Sequence, residues 1–319
     1  MIKIALLGTG RVARARIREI NLRKDAVIIG VASSNLERAK ELATPINAFA
    51  TIDWQNLVAQ ADAVMVCSLN KYHAEMCHFA LSLSKPVSVD YPLALSLGET
   101  LELVNLAAEK KAILHVEHIE LLSPWFNTLQ KALPEIGNVL SIFWTNLSNR
   151  QAIDTDWTFN TSSGFSLFLH AAIISRLIAI AGKARWVNAQ EKLLGLESGQ
   201  FTSRLTTVQI GFENGVIAQL IDGQGLNVIP IANQLVVIGT KGQLLAENHQ
   251  QVSLQLTDKK EDLPIVKGEG LFSQDIDNFI KQIQLGTKSY VDHNHICQIA
   301  QLATAAQRSC QKQQPIEIK

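Results

Sequence analysis

Four short stretches carry residues whose types and spacing could do chemistry. Gly8-Thr9-Gly10-Arg11-Val12-Ala13 matches G-x-G-x-x-A between an apolar run and a helical pattern. In that setting the first glycine makes a tight turn and the second lets backbone approach a pyrophosphate. The helix N-terminus adds free N–H groups and a partial positive charge. Gly8, Thr9, Gly10, Arg11 and Val12 are therefore candidate dinucleotide-binding residues. Asp90-Tyr91-Pro92 ends a β-branched run, and proline biases its predecessor away from helix, so Tyr91 is expected at a strand-to-loop corner. His115-Val116-Glu117-His118 gathers two imidazoles and a carboxyl, and His170 and Arg176 lie in an apolar helical run.

A site selective for NAD places an acid about 20 residues beyond the glycines, at the end of the second strand. Here that strand ends Ala32-Ser33-Ser34-Asn35, with no acid. The hydroxyls of Ser33 and Ser34 suit a 2′-phosphate, and Arg38, one helical turn on, either supplies a cation or is a solvated helix residue. NADP(H) is favoured, with NAD(H) as the alternative. The third apolar run ends in Cys67-Ser68-Leu69-Asn70 and leads to His73. Ser68, Leu69, Asn70 and His73 thus fall at the carboxyl edge of the expected sheet, where ligands of such folds bind, together with Asp90 and Tyr91.

These residues need strands and helices to position them. Apolar runs at 2–8, 26–33, 61–68, 86–92 and 113–119 alternate with helical spacing at 12–24, 35–44, 73–84 and 97–112, which predicts a doubly wound parallel sheet. On the last of these strands His115 and Glu117 would share one face and His118 the other. No Cys pair or third histidine stands at zinc spacing from them, so no metal site is expected. After residue 123 the pattern changes to a helix, a long strand at 138–148, an apolar helix at 166–182, several strands with Asn-Gly and Lys-Gly turn signals, and two closing helices. The second part reads as α+β on a mostly antiparallel sheet.

Composition sets the outer bounds. A chain of 319 residues exceeds what one compact core usually holds. The expected division is a dinucleotide-binding domain at 1–122 and a substrate and oligomerisation domain at 123–319, whose final helices pack back towards the first. Net charge is zero, which gives no basic surface for nucleic acid. No apolar run reaches the roughly 20 residues of a membrane span. Met1-Ile2-Lys3-Ile4 starts a strand at once, without a signal-peptide pattern. Four cysteines, Cys67, Cys77, Cys297 and Cys310, follow no disulfide or metal spacing. A cytoplasmic protein acting on a small molecule, with a homo-oligomer through the second sheet, is expected.

Taken together, GTGRVA, SLNKYH, the strand ending in DYP and the closing pattern GLFSQDIDNFIKQIQLG resemble the Gfo/Idh/MocA oxidoreductases along the whole chain. The resemblance implies a Rossmann first domain and NAD(P)-dependent hydride transfer. Sugar and inositol dehydrogenases of the family carry Glu-Lys-Pro where this chain has Asp90-Tyr91-Pro92. The segment from Tyr91 to Ser123, with its HVEHIELL run, is similar to the biliverdin reductase branch instead. That branch implies reduction of a linear tetrapyrrole, with Tyr91, Arg176, Glu117 and His118 as candidate catalytic residues and Tyr91, His170 and Arg176 as substrate contacts. A phenol of ordinary pKa near 10 is a poor acid at neutral pH, so Tyr91 is expected to position substrate more than to donate a proton. The family's sugar dehydrogenases use an Asp and a His four residues apart, and matching that motif here finds Phe168 and Ala172. The branch's arginine matches Ile173, one turn before Arg176. Dehydrogenation of another small hydroxylated or carbonyl compound, and non-catalytic dinucleotide sensing, are the competing readings. His170 is either a substrate contact or a histidine satisfied on an apolar helix.

Overall fold

Strand and helix alternate from the first residues, as the two periodicities predict. The order is β1 (Ile2–Leu7), α1 (Arg11–Asn21), β2 (Ala26–Ala32), α2 (Leu36–Ala43), β3 (Phe49–Thr51), α3 (Trp54–Gln60), β4 (Ala63–Val66), α4 (His73–Ser82), β5 (Val87–Val89), α5 (Leu97–Lys110) and β6 (Leu114–Val116). This computed structural model describes residues 1–151, 157–227 and 233–318. All six strands pair in parallel in the order β3-β2-β1-β4-β5-β6. Parallel strands covered on both faces need continuous apolar runs, and Ile4, Ala5, Leu6 and Leu7 of β1 are all fully buried. Strand order reverses between β1 and β4, which sets the ligand-binding crevice at their carboxyl ends.

The remaining elements are α6 (Pro124–Ala132), β7 (Val139–Leu147), α7 (Ser166–Leu169), α8 (Ala171–Ala181), β8 (Ala184–Leu194), β9 (Ser203–Phe212), β10 (Ile217–Gln224), β11 (Asn233–Gly239), β12 (Gly242–Glu247), β13 (Gln251–Leu256), β14 (Lys260–Leu263), α9 (Leu271–Leu285), α10 (His293–Lys312) and β15 (Ile316–Glu317). They include a nine-stranded sheet in the order β14-β13-β12-β11-β7-β10-β9-β8-β15. Its pairs are antiparallel except β7 with β10, so the sheet is mixed and mostly antiparallel. Period-2 alternation buries Ile142 and Trp144 of β7, Val208 and Ile210 of β9, and Ala218 and Leu220 of β10.

Contacts divide the chain into two units, Met1–Ile119 with Glu269–Cys297, and Glu120–Gly268 with Gln298–Lys319. Helix α9 belongs to the first because Ile276, Phe279 and Ile280, spaced i, i+3, i+4, share a core cluster with Ile4, Leu6, Ile17 and Ile20. Each such side chain contributes about 1.5–3 kcal/mol by leaving water.

Three regions differ from the sequence expectation. Residues 45–60, left without an element, hold β3 and α3. β3 is only three residues long, too short to show a period of its own. The strand expected over 113–119 stops at Val116, so His118 is not on it. The helix expected over 166–182 is broken at His170, whose backbone (φ −107°, ψ 37°) leaves the helical region between α7 and α8.

Candidate functional site

At the end of β1 the chain turns through Gly8, whose φ of +123° favours glycine and where a Cβ would lie 2.2 Å from the Cys67 carbonyl oxygen. Gly10 is the N-cap of α1, with no side chain capping the helix and no acid in its first turn. A Cβ at Gly10 would meet nothing within 4 Å. An uncapped helix start with open space before it fits a pyrophosphate, held by the N–H groups that Arg11 and Val12 begin. Thr9 Oγ1 lies 3.5 Å from Ser33 Oγ, which joins the ends of β1 and β2. Ser33 Oγ also accepts from Asn35 N at 3.3 Å, and Asn35 caps α2 by accepting from Arg38 N. Ser34 and Arg38 are exposed, and the Arg38 guanidinium has no partner among the described residues. These groups could receive the adenosine end of a dinucleotide.

Next to this, His73 is buried and its ring spans two loops. Nδ1 lies 2.8 Å from the Pro92 carbonyl oxygen and Nε2 lies 3.0 Å from that of Ser68. The imidazole thus ties the Ser68-Leu69-Asn70 loop to the Tyr91-Pro92 corner and is spent on doing so. Leu69 is exposed and Asn70 buried. Asp90 is likewise engaged internally, since its Oδ1 accepts from Arg16 Nε at 3.2 Å and Nη2 at 2.8 Å. Both were expected to touch cofactor. The structure makes them braces of the loops that would.

Arg16 is the centre of a buried ionic network in the first unit. Its Nη1 donates to Asp275 Oδ2 at 2.9 Å. Asp275 Oδ1 is 2.8 Å from His115 Nε2 and accepts from Tyr290 Oη at 2.7 Å. Gln282 Nε2 faces His115 Nδ1 at 2.8 Å, so Nε2 carries the hydrogen that Asp275 accepts. Burial alone would raise Asp275, but His115 and Arg16 overrule it and hold the carboxyl well below its usual range. Glu117 goes the other way. Burial pushes it well above the carboxylate range, and the charges of Asp275 and Asp90 add to the shift. Its Oε1 accepts from Ile119 N at 2.7 Å. His118 N donates to Tyr290 Oη at 2.9 Å, and the His118 ring lies flat on Tyr91, with centroids 5.5 Å apart and planes at 11°. The network so fixes the ends of β5 and β6, bringing together Asp90, Tyr91, Glu117 and His118. Tyr91 is half-buried, and its peptide bond to Pro92 is cis.

The second unit holds a separate polar cluster. His170 Nδ1 pairs with Asp222 Oδ2, Asn146 Nδ2 donates to Asp222 Oδ1 at 2.6 Å, and Asn233 Nδ2 donates to Asn146 Oδ1 at 3.0 Å. The backbone break at His170 turns the ring towards β10. Sequence reasoning missed Asp222, although an acid closing the apolar run Gly215–Ile221 was a signal. Phe168 and Ala172 are buried and apolar, so the motif positions of the sugar dehydrogenases present no acid or base here. Arg176 departs from its expected role as a substrate contact. It is 3% exposed, donates through Nε to the Ala172 carbonyl oxygen, reaches Glu120 at 3.4 Å, and lies over the rings of Trp125 and Trp144. A buried guanidinium against the two indoles links α8 to α6 and β7.

Residues 2–118 match the model of the oxidoreductase family with an NAD-binding Rossmann fold. The chain is 21% identical over 332 residues to the inositol 2-dehydrogenase of Rhizobium meliloti, covering 99% of each. It is 28% identical over 135 residues to biliverdin reductase A of Mus musculus, covering 40% of this chain and 43% of that one. Among solved structures, the biliverdin reductase of Synechocystis sp. PCC 6803, in complex with biliverdin and NADP+, superposes with a TM-score of 0.92 at 24% identity, covering 97% of this chain and 99% of that one. At that identity the likeness establishes the fold.

Proposed function

We propose that this chain is an NAD(P)-dependent oxidoreductase of the Gfo/Idh/MocA kind, as the match of residues 2–118 supports, and that it reduces a linear tetrapyrrole, as in the conversion of biliverdin to bilirubin, with NADPH. The observation that carries this reading is the flat Tyr91–His118 stack at the end of β5. An aromatic pair offers a conjugated, planar substrate a stacking surface, which a lysine at the same place would not. The apolar Phe168 and Ala172 agree with it, since a sugar hydroxyl would find no acid–base pair at those positions. The Synechocystis relative, named for biliverdin, supports the same reading.

The bound nicotinamide would supply the hydride. The first turn of α1 binds the pyrophosphate, and Ser33, Ser34 and Arg38 receive the 2′-phosphate. Asp90 and His73 hold the loops in place, and Tyr91 orients the substrate. A second reading, dehydrogenation of a polyol, draws on the full-length similarity to inositol 2-dehydrogenase and on the His170–Asp222 pair, which suits proton removal from a hydroxyl.

Purified protein given NADPH or NADH and biliverdin, followed by bilin absorbance, tests the proposal. NADPH-driven reduction is expected, with several-fold lower kcat in Tyr91→Phe and a larger loss in Tyr91→Ala. Ser33→Asp is expected to weaken NADPH binding about tenfold or more, because a carboxylate then faces the 2′-phosphate. NAD(P)+-dependent oxidation of inositols without bilin turnover would establish the second reading instead.

A further inference from the structure

His118 leaves its strand in a way that needs an outside group. Glu117 N donates to the Val89 carbonyl oxygen and so continues the pairing of β6 with β5, but the next N–H, that of His118, donates to Tyr290 Oη at 2.9 Å. A buried backbone N–H at a strand end needs a partner, and this phenol supplies one from 172 positions further along the chain. Tyr290 can serve because its own hydrogen is committed elsewhere. Arg16 and His115 hold Asp275 well below its usual range, so the carboxylate only accepts, and Tyr290 Oη donates to its Oδ1 at 2.7 Å. A hydroxyl whose hydrogen is taken in this way turns a lone pair to the His118 N–H. The same segment meets the His118 ring. Asp292, just before α10, accepts from His295 N at 2.8 Å as a helix cap, and the His295 ring lies edge-on to that of His118, with centroids 6.4 Å apart and planes at 83°. The imidazole between them lies flat on Tyr91.

We infer that Tyr290 is the positioning residue of the stacking surface, holding the His118 ring against Tyr91 through the His118 N–H. The inference rests on the reductase reading above, in which that surface receives the conjugated substrate. Every group in it belongs to the first unit. Arg16 then has two holds on Tyr91. Through Asp90 it fixes the preceding residue, and through Asp275, Tyr290 and His118 it fixes the ring. His118 is 2% exposed, so without the phenol hydroxyl its N–H loses this bond in a buried setting. The 117–119 segment then gains by shifting to recover one, and the shift tilts the imidazole off Tyr91.

The test uses full-length protein, NADPH and biliverdin, with Tyr290→Phe, His118→Ala and the double variant. Tyr290→Phe keeps the ring that lies edge-on to His115 and removes only the hydroxyl. It should raise the KM for biliverdin about three- to tenfold, the scale of a lost aromatic pair, with kcat and NADPH affinity little changed. His118→Ala should do the same, and adding Tyr290→Phe to it should cost nothing more, because the tyrosine acts through a ring that is then gone. Tyrosine-ring NMR gives a measurement without substrate. The chain holds three tyrosines, Tyr72, Tyr91 and Tyr290, so each ring signal is assigned by its own phenylalanine variant. In Tyr290→Phe the Tyr91 signal should move towards its position in His118→Ala, as the ring current of the imidazole weakens. A wild-type enzyme that reduces biliverdin while Tyr290→Phe keeps both its KM and its Tyr91 signal overturns this inference alone, and so do additive losses in the double variant. A wild-type enzyme that reduces no bilin overturns the reductase reading and this inference with it.

Discussion

In the first unit, His115 and Asp275 are both fully buried. In the second, His170 and Asp222 are joined by the same kind of bond, but His170 keeps 30% of its side-chain surface exposed. His115 meets Gln282 on its other nitrogen, while Arg16 and Tyr290 take up the rest of Asp275. Such a pair has nothing left to exchange and serves to hold β5, β6 and α9 in register. The His170 pair is braced only on the carboxylate side. The pairing alone therefore says little about function. What separates a brace from an acid is the valence left over after folding and whether solvent or substrate can reach it.

The largest effect expected from this contrast is on stability. Asp275→Asn takes away one of the two carboxylates that meet buried Arg16, and should cost about 3–5 kcal/mol in denaturant unfolding. A loss below about 1 kcal/mol would mean that the network is not what holds the first unit.

A pH effect of intermediate size should follow from Glu117. Its pKa is raised on folding, so the stability it contributes is full below the ordinary carboxylate pKa and is lost as pH rises towards the folded value. Asp275, held low, contributes stability above the ordinary carboxylate pKa and loses it on acidification. Glu117→Gln keeps an oxygen for Ile119 N and removes the ionisation. Its Tm should fall less than that of the wild type between pH 5 and 9, and parallel curves would place Glu117 outside the network's titration.

The smallest stability change belongs to His170→Gln, within about 1 kcal/mol, since Asn146 still serves Asp222 and the ring is partly exposed. If its cost matched that of Asp275→Asn, the two pairs would be doing the same job.

The Rossmann sheet and the glycine turn that opens its first helix were legible from sequence because their signals are local. A glycine pair between a strand and a helix, and a strand end without an acid, depend on neighbours within a few residues. The braces were not legible in the same way. Asp90 and His73 read as cofactor contacts because they sit at strand ends, yet their partners, Arg16 and the Pro92 and Ser68 carbonyls, are set by how loops meet. Arg176 read as a propionate ligand from its place on a helix, and only packing put the rings of Trp125 and Trp144 against it.

By itself the sequence determined the parallel first sheet, the mostly antiparallel second sheet and the glycine turn at the end of β1. These follow from hydrophobic period and backbone conformation, which each segment carries within itself. Tertiary structure decided which titratable groups are spent and which remain available. Asp275 meets Arg16 across 259 positions of sequence, and Asp222 meets His170 across 52. No local pattern encodes such pairings, because a side chain's charge and reach acquire a partner only when distant strands and helices are packed together.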